Sequence, residues 1–340
     1  MPKSNMGTER KAKRKSIKEV LKILKHKGNK SLEIARETIL KEKIQSKEAR
    51  EALQYYVENF LEPTPSALLA LSCETVGYGT EETFWMGAAL TLLVGAVDIH
   101  DDIIDQSARK NGRPTVLGKF GKEIALLTGN AFLFEGFVLF DKATRCFDSK
   151  KANYLIETLK TAFFEMGDGH ALEAGLRGKL EINPKEYLRI VEMKAASWEA
   201  VTKIGAIIGN GKKEEIAALA QYGRIWGVLS TIRNDFIDLF EINELQNRML
   251  NEILPLPILC AFEDSQIKKE IVTILSKQKI TRMDLETVLN LVFEARQVKD
   301  LKKTLQSLIS ETRSRLVALK KSRAKAILEL FISVMLENLD

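Results

Sequence analysis

Twelve residues, Met86–Val97, pass without a charged side chain and run straight into Asp98, Asp101, Asp102 and Asp105. An apolar stretch of this length is too short to cross a bilayer, and ended by carboxylates it reads as a helix buried in a protein core. Any fold that accepts it must enclose the helix and still satisfy the acids at its end. With 45% apolar residues among 340, the chain can bury one large core or two ordinary ones, which excludes disorder throughout.

The remaining pattern is helical almost everywhere. Glu, Lys, Leu and Ala abound and strand-like alternation is scarce, which predicts helices near 15–26, 30–59, 65–76, 82–107, 120–144, 149–175, 184–208, 213–240, 254–262, 266–277, 282–293 and 297–338. Breaks are expected at Gly28, Pro63/Pro65, Gly77/Gly79, Gly112/Pro114, Pro184, Gly209/Gly211 and Pro255/Pro257. The chain is read as a basic arm, 1–28, followed by one all-helical domain, 29–340.

The net charge of +6 is concentrated at one end: residues 1–30 carry +9 and the remainder −3. A basic arm of this kind is a solvated tail or a contact for an anionic membrane surface or partner, and it does not support nucleic-acid binding. Cys73, Cys146 and Cys260 lie far apart with no histidine nearby, so neither a disulfide framework nor a zinc site is expected. No apolar h-region appears in the N-terminal stretch, so secretion is not expected; a cytoplasmic, reducing setting is.

On a helix, residues four apart share a face, so Asp101 pairs with Asp105 and Asp98 with Asp102. Left alone they repel; a hard cation such as magnesium, which keeps waters and bridges to phosphate oxygens, relieves this. The plain alternative is a solvated acidic helix end. Just beyond stand Arg109, Lys110 and Arg113, cations suited to an anionic ligand such as a diphosphate. The same spacing recurs at Asn234-Asp235-Phe236-Ile237-Asp238, with Glu241 close by and Trp226, Thr231 and Arg233 upstream. An amide oxygen and a carboxylate there could hold another magnesium ion.

The stretch HDDIIDQSARKNGRPT resembles the first aspartate-rich motif of the trans-isoprenyl diphosphate synthases, or polyprenyl synthetases, and TIRNDFIDL resembles their second. The resemblance continues through Gly169–Glu173, Tyr187–Lys194 and Leu254-Pro255, and so covers roughly residues 60–262. It implies an all-α class I isoprenoid synthase bundle around a central cavity, with three magnesium ions clamping the diphosphate of an allylic prenyl substrate. By position Asp101 and Asp105 would ligate two ions, and Asn234 and Asp238 the third. Asp102 and Asp235 would stand behind the ligands, and Lys194 and Lys110 would meet the diphosphate. A homodimer is also implied.

The chain departs from the family where chain-elongating members hold isopentenyl diphosphate. Phe60–Ser66 replaces a Lys- and Arg-bearing segment, Val94 takes a histidine's place, and Asn111 stands for an arginine. Each lost charge-assisted bond is worth roughly 1.5–3 kcal/mol, so the acceptor site is expected to be weak. Asn234 fits the first place of a terpene-synthase motif, whereas Asp238 and Ile242 replace its serine and glutamate.

Trp198 and Trp226 are ordinary core residues or ring faces for a carbocation, and His170 is either structural or a polar group facing that cation. His100 is expected to be structural. Val97 and Ala96, small residues before Asp101, leave the cavity open as far as Met86 and Trp85. That distance is about 24 Å at 1.5 Å per residue, room for a chain of about C15 to C20 or longer.

Three functions follow, in order of preference. The first is terpene-synthase-like ionisation of a preformed prenyl diphosphate. The second is chain elongation, alone or as a heteromer with an elongating homologue, and the third a non-catalytic regulatory subunit.

Overall fold

The computed structural model describes residues 4–77, 79, 81–110 and 112–337; the side chains of residues 4–17, 242 and 243 lie outside that description. In chain order the elements are α1 (Ser4–Leu40), α2 (Lys47–Asn59), α3 (Thr64–Val76), α4 (Glu82–Ile104), the ribbon β1 (Arg109–Lys110) and β2 (Arg113–Pro114), α5 (Val116–Phe120) and α6 (Lys122–Thr144). They continue as α7 (Ser149–Ala174), α8 (Pro184–Lys194), α9 (Ala196–Ile208), α10 (Lys213–Asp238), α11 (Ile242–Asn251), α12 (Leu256–Ala261) and α13 (Ser265–Leu275). Last come α14 (Arg282–Glu294), α15 (Arg296–Arg315), a 3-10 turn at Leu316–Ala318 and α16 (Arg323–Ser333). The fold is all-α, as expected. Strand is confined, among the described residues, to the antiparallel pair Arg109↔Pro114 and Lys110↔Arg113.

Several boundaries differ from the sequence reading. Gly28 does not stop a helix: α1 runs through it, and the break falls instead at 41–46, where Ser46 Oγ accepts the Ala49 amide at 3.3 Å to start α2. A Cβ on Gly28 would sit 2.4 Å from Pro63 O and 2.6 Å from Pro63 Cβ, so this glycine is a notch that lets α1 pass close to the start of α3. The expected helix 184–208 is interrupted at Ala195, and 297–338 divides at the 3-10 turn. Helix α11 was not expected, although Ile242, Leu245, Met249 and Leu250 recur at helical spacing; the segment is short and otherwise polar.

The residues fall into two compact units. The first comprises 1–162, 197–223 and 316–334; the second 163–196, 224–315 and 335–340. In the first, α4 packs against α6, α1 and α3. Small residues make the approach possible: Gly87 of α4 faces Ser31 and Ser66, and Gly136 of α6 receives the Leu93 side chain of α4. Both α4 and α6 are long and apolar enough to cross a membrane by length and composition, which extends the reading from the short run 86–97. In the fold 67% of the most apolar window of α4 is buried, as a core helix requires.

The second unit is built on Tyr187 of α8 and Phe236 of α10, both fully buried, with Phe236 stacked on Phe293 of α14 at 6.3 Å. Helix α12 packs on α8, α14 and α15. Side-chain caps mark the starts of α13 (Asp264) and α14 (Thr281, in a reciprocal box with Asp284).

Gly28→Val should lower unfolding free energy by about 1–3 kcal/mol, because the added atoms overlap backbone that cannot yield. Gly167→Ala, on a stretch of α7 with open space around it, should raise it by about 0.5–1 kcal/mol. Urea unfolding of the two variants beside the parent checks both signs.

Candidate active site

Helix α4 ends at Ile104, three residues short of the predicted 107, so Asp105 lies one position past it. The four-residue spacing survives because the Asp105 amide still donates to Asp101 O at 2.8 Å. Gln106, at φ +55°, then turns the chain out of the helix. A compact loop follows: Ser107 N donates to Asp102 O at 2.9 Å, Thr115 Oγ1 to Ser107 O at 2.7 Å, and Thr115 N to Ala108 O at 3.0 Å. Asp102 is buried, whereas Asp101 and Asp105 are half-buried. The predicted division, with Asp101 and Asp105 facing a ligand and Asp102 behind them, is compatible with this burial.

The ribbon β1–β2 folds back toward α4 and brings Lys110 into an ion pair with Asp98. Tyr56 of α2 donates its hydroxyl to the other Asp98 oxygen at 2.9 Å. Burial alone would push the Lys110 ammonium down; the carboxylates of Asp98, Asp102 and Asp101 outweigh it and hold Lys110 well above the ordinary lysine range. Glu62 is raised by burial and by the charge of Asp98, with Lys110 partly offsetting both. Tyr56 is likewise raised, by burial first and by Asp98 next.

The region read as short of acceptor cations therefore contains a carboxylate, Glu62, and a lysine already engaged by Asp98. Arg113 is exposed and donates to Asn59 Oδ1 at 3.2 Å. Asn111 lies outside the described residues, as does the side chain of Ile242.

Elsewhere in the first unit, His100 Nε2 lies 3.2 Å from Asn130 Oδ1, and a Cβ on Gly129 would touch its ring at 2.6 Å, an enclosed position that fits a structural role. Ala96 is fully buried and Val97 half-buried. Leu93 is turned into the α6 notch. Trp85, 51% exposed, does not line an interior, which leaves buried Met86 as the bulky residue at the far end of α4. Trp198 is half-buried.

In the second unit, Gly169 lets the end of α7 approach α8: its Cβ would lie 3.2 Å from Lys194 Cγ. Lys194 pairs there with Glu173, whose Oε2 is also 4.0 Å from His170 Nδ1, so three residues flagged in the sequence converge. Trp226 is buried, Arg233 half-buried and Asn234 exposed.

Asp235, 1% exposed, accepts from Arg248 Nη1 at 2.7 Å, from Leu256 N at 3.0 Å and from the Tyr187 hydroxyl at 3.0 and 3.1 Å. Asp238 Oδ2 accepts from the same Arg248 Nη1 at 2.7 Å. Burial raises the Asp238 carboxyl, against the lowering effect of Arg248.

Arg248, on α11, escaped the sequence reading. A signal was there: it is the only cation between Arg233 and Lys268. Glu62, Tyr56 and Tyr187 were also not singled out, since nothing local distinguishes a buried tyrosine that will meet a carboxylate.

Among the described residues no three His, Cys, Asp or Glu side chains converge into a ready-made metal cage. Asp101 and Asp105 supply hard oxygen donors at helical spacing, enough for magnesium ions that complete their shells with water and phosphate oxygen. At the second segment the fit is poorer, since a guanidinium already occupies one Asp238 oxygen.

The polyprenyl synthetase family model matches residues 45–292. The chain belongs to that family. Among curated relatives it is 31% identical over 179 residues to the short chain isoprenyl diphosphate synthase of Methanothermobacter thermautotrophicus, a match covering 52% of this chain and 54% of the relative. It is 25% identical over 287 residues to the geranylgeranyl diphosphate synthase of Methanosarcina mazei, covering 83% and 87%. The first two relatives, the second being the geranylgeranyl diphosphate synthase of Sulfolobus acidocaldarius, are thus matched over only about half their length, 54% and 52%. The fold is shared with geranylgeranyl pyrophosphate synthetase from Pyrococcus horikoshii at a TM-score of 0.84, 23% identity, and 95% and 99% coverage.

Asp235→Leu should cost about 3–5 kcal/mol of stability, because it takes one of two carboxylates from the buried guanidinium and leaves Leu256 N and the Tyr187 hydroxyl without their acceptor; guanidine unfolding measures it. The Lys110–Asp98 pair has an alkaline signature. A lysine raised in the folded state contributes stability that is complete below its ordinary pKa of about 10.4 and lost only as pH climbs through the higher folded value. The stability difference between parent and Asp98→Asn should therefore stay level from about pH 7 to 10 and shrink above that.

Proposed function

We propose that this chain is a magnesium-dependent prenyl diphosphate synthase, which binds an allylic prenyl diphosphate at Asp101 and Asp105 and extends it by a five-carbon diphosphate unit. The observation that carries the reading is the position of that carboxylate pair, half-buried at the C-terminal end of an apolar core helix in a chain of the polyprenyl synthetase family. The relatives described above, all named as prenyl diphosphate synthases, favour elongation over the terpene-synthase-like reading preferred from sequence.

The chemistry is a heterolysis. The allylic C–O bond breaks, the electron pair leaves with the diphosphate, and the carbocation is captured by the acceptor's double bond before a proton is lost. Magnesium supplies Lewis-acid stabilisation of the leaving diphosphate. Asp101 and Asp105 hold the ions, and Asp102, buried behind them, adds negative potential that favours cation binding. Lys194 of the second unit is paired with Glu173. Lys110 reaches a diphosphate only by sharing its charge with Asp98. Small side chains at Ala96 and Val97 leave room for a chain of about C15 to C20 or longer.

A second reading is favoured by Glu62. An acidic side chain in the region where acceptor cations would be needed offers a second diphosphate no positive charge and suits ionisation without one. The homodimer assignment draws support from Leu126, Leu127, Phe134 and Phe137, large side chains exposed on α6 of the first unit, Phe134 at 72%. A heteromer with an elongating homologue would use the same face. Cytoplasmic placement belongs to the same reading.

Incubation with magnesium, radiolabelled isopentenyl diphosphate and geranyl, farnesyl or geranylgeranyl diphosphate should give a longer labelled product, and Asp101→Asn or Asp105→Asn should lower the rate by about 100-fold or more. Pyrophosphate release without label incorporation would replace elongation by the second reading, and no turnover under either condition would leave the regulatory subunit. Leu127→Glu combined with Phe134→Glu should convert a dimer to a monomer in light-scattering chromatography.

A further inference from the structure

The second acidic segment is fixed by a cation of the chain itself. Arg248, with its side chain 7% exposed, donates Nη1 to Asp235 Oδ1 and Asp238 Oδ2, both at 2.7 Å, and Nε to Ile253 O at 2.9 Å. Its Nη2 reaches the Tyr187 hydroxyl at 3.2 Å, and Glu252 Oε2 stands 3.6 Å from Nε. Asp235 also accepts from Leu256 N and from the Tyr187 hydroxyl.

A guanidinium cannot be shed by deprotonation, and withdrawing this one would strand a buried carboxylate and a backbone carbonyl. A divalent ion placed on Asp238 would face a permanent positive charge bonded to the same carboxylate. Asn234, the other expected ligand, offers a neutral amide. Glu241 and Glu252 add negative charge nearby, but Glu252 accepts from Asn247 at 2.7 Å and lies on the Arg248 side.

We infer that Arg248 serves as the resident counter-cation of the second acidic segment, holding Asp238 as an ion-pair partner, so that this chain retains two magnesium ions on Asp101 and Asp105 and no third on Asn234 and Asp238. The inference rests on the proposed magnesium-diphosphate reading of the first segment. Arg248 is here a positioning residue: it fixes Asp235 and Asp238 and sets the metal count.

The test counts ions. The full chain is titrated with Mn2+ in the presence of inorganic pyrophosphate, with bound Mn2+ read by electron paramagnetic resonance. Two ions per chain are expected. The isosteric Asp238→Asn should leave both number and affinity within about twofold, whereas Asp105→Asn should lose at least one ion. Arg248→Met, if it folds, should admit a third.

Three ions in the parent, or the loss of one in Asp238→Asn, would overturn the inference while leaving the first-segment reading intact. Ion binding indifferent to Asp105→Asn would overturn both. Because Asp238→Asn alters neither shape nor burial, its result stands even where Arg248→Met does not fold.

Discussion

Carboxylates at the C-terminal end of a buried helix are in an electrostatically poor place. The backbone dipoles of α4 already put partial negative charge at Ile104, and Asp101, Asp102 and Asp105 add to it within the last turn and just beyond. Nothing in ordinary packing favours this arrangement. It becomes favourable when positive charge is brought close. Lys110, carried back by the ribbon, pairs with Asp98 and is held also by the charges of Asp102 and Asp101. The tight loop from Gln106 to Thr115, the notched contact of α6 and the packing of α1 and α3 on α4 can all be understood as what holds this charge in place.

The second acidic segment meets the same physical problem with an internal answer. Here the cation is covalently part of the chain, delivered by α11 and locked by Asp235, Asp238, Ile253 and Tyr187. Two segments that look alike in sequence are therefore chemically unequal: on the proposed reading the first takes external ions, whereas the second holds an ion pair supplied by the chain itself, with an exposed amide, Asn234, beside it.

Much of this was legible from residue order. The helical class, the buried character of 86–97 and the pairing of Asp101 with Asp105 rest on local periodicity, which sequence records directly, whereas the inner placement of Asp102 and Asp235 came only from the family resemblance. Other features were not legible. Gly28 looked like a helix stop because glycine is a poor helix former, yet it is tolerated within α1 because Pro63 needs the space. The break before Ser46 carries no glycine or proline, and α11, though its apolar residues recur at helical spacing, is a short run in a polar stretch and was passed over. Arg248 was visible only as an isolated cation with no assigned partner, because its partners lie 10 and 13 residues upstream and, in the case of Tyr187, 61.

The sequence by itself determined which residue types are available and at what helical spacing: an apolar helix ending in acids, a second Asn-Asp-x-x-Asp segment, and no surplus of cations where an acceptor diphosphate would need them. Tertiary structure decided which of those charges are already spent. Lys110 is spent on Asp98, Lys194 on Glu173, and Arg248 on Asp235 and Asp238. Periodicity fixes a side chain's direction around its own helix, but whether a charge is matched depends on a group brought from elsewhere in the chain, and that only packing can settle.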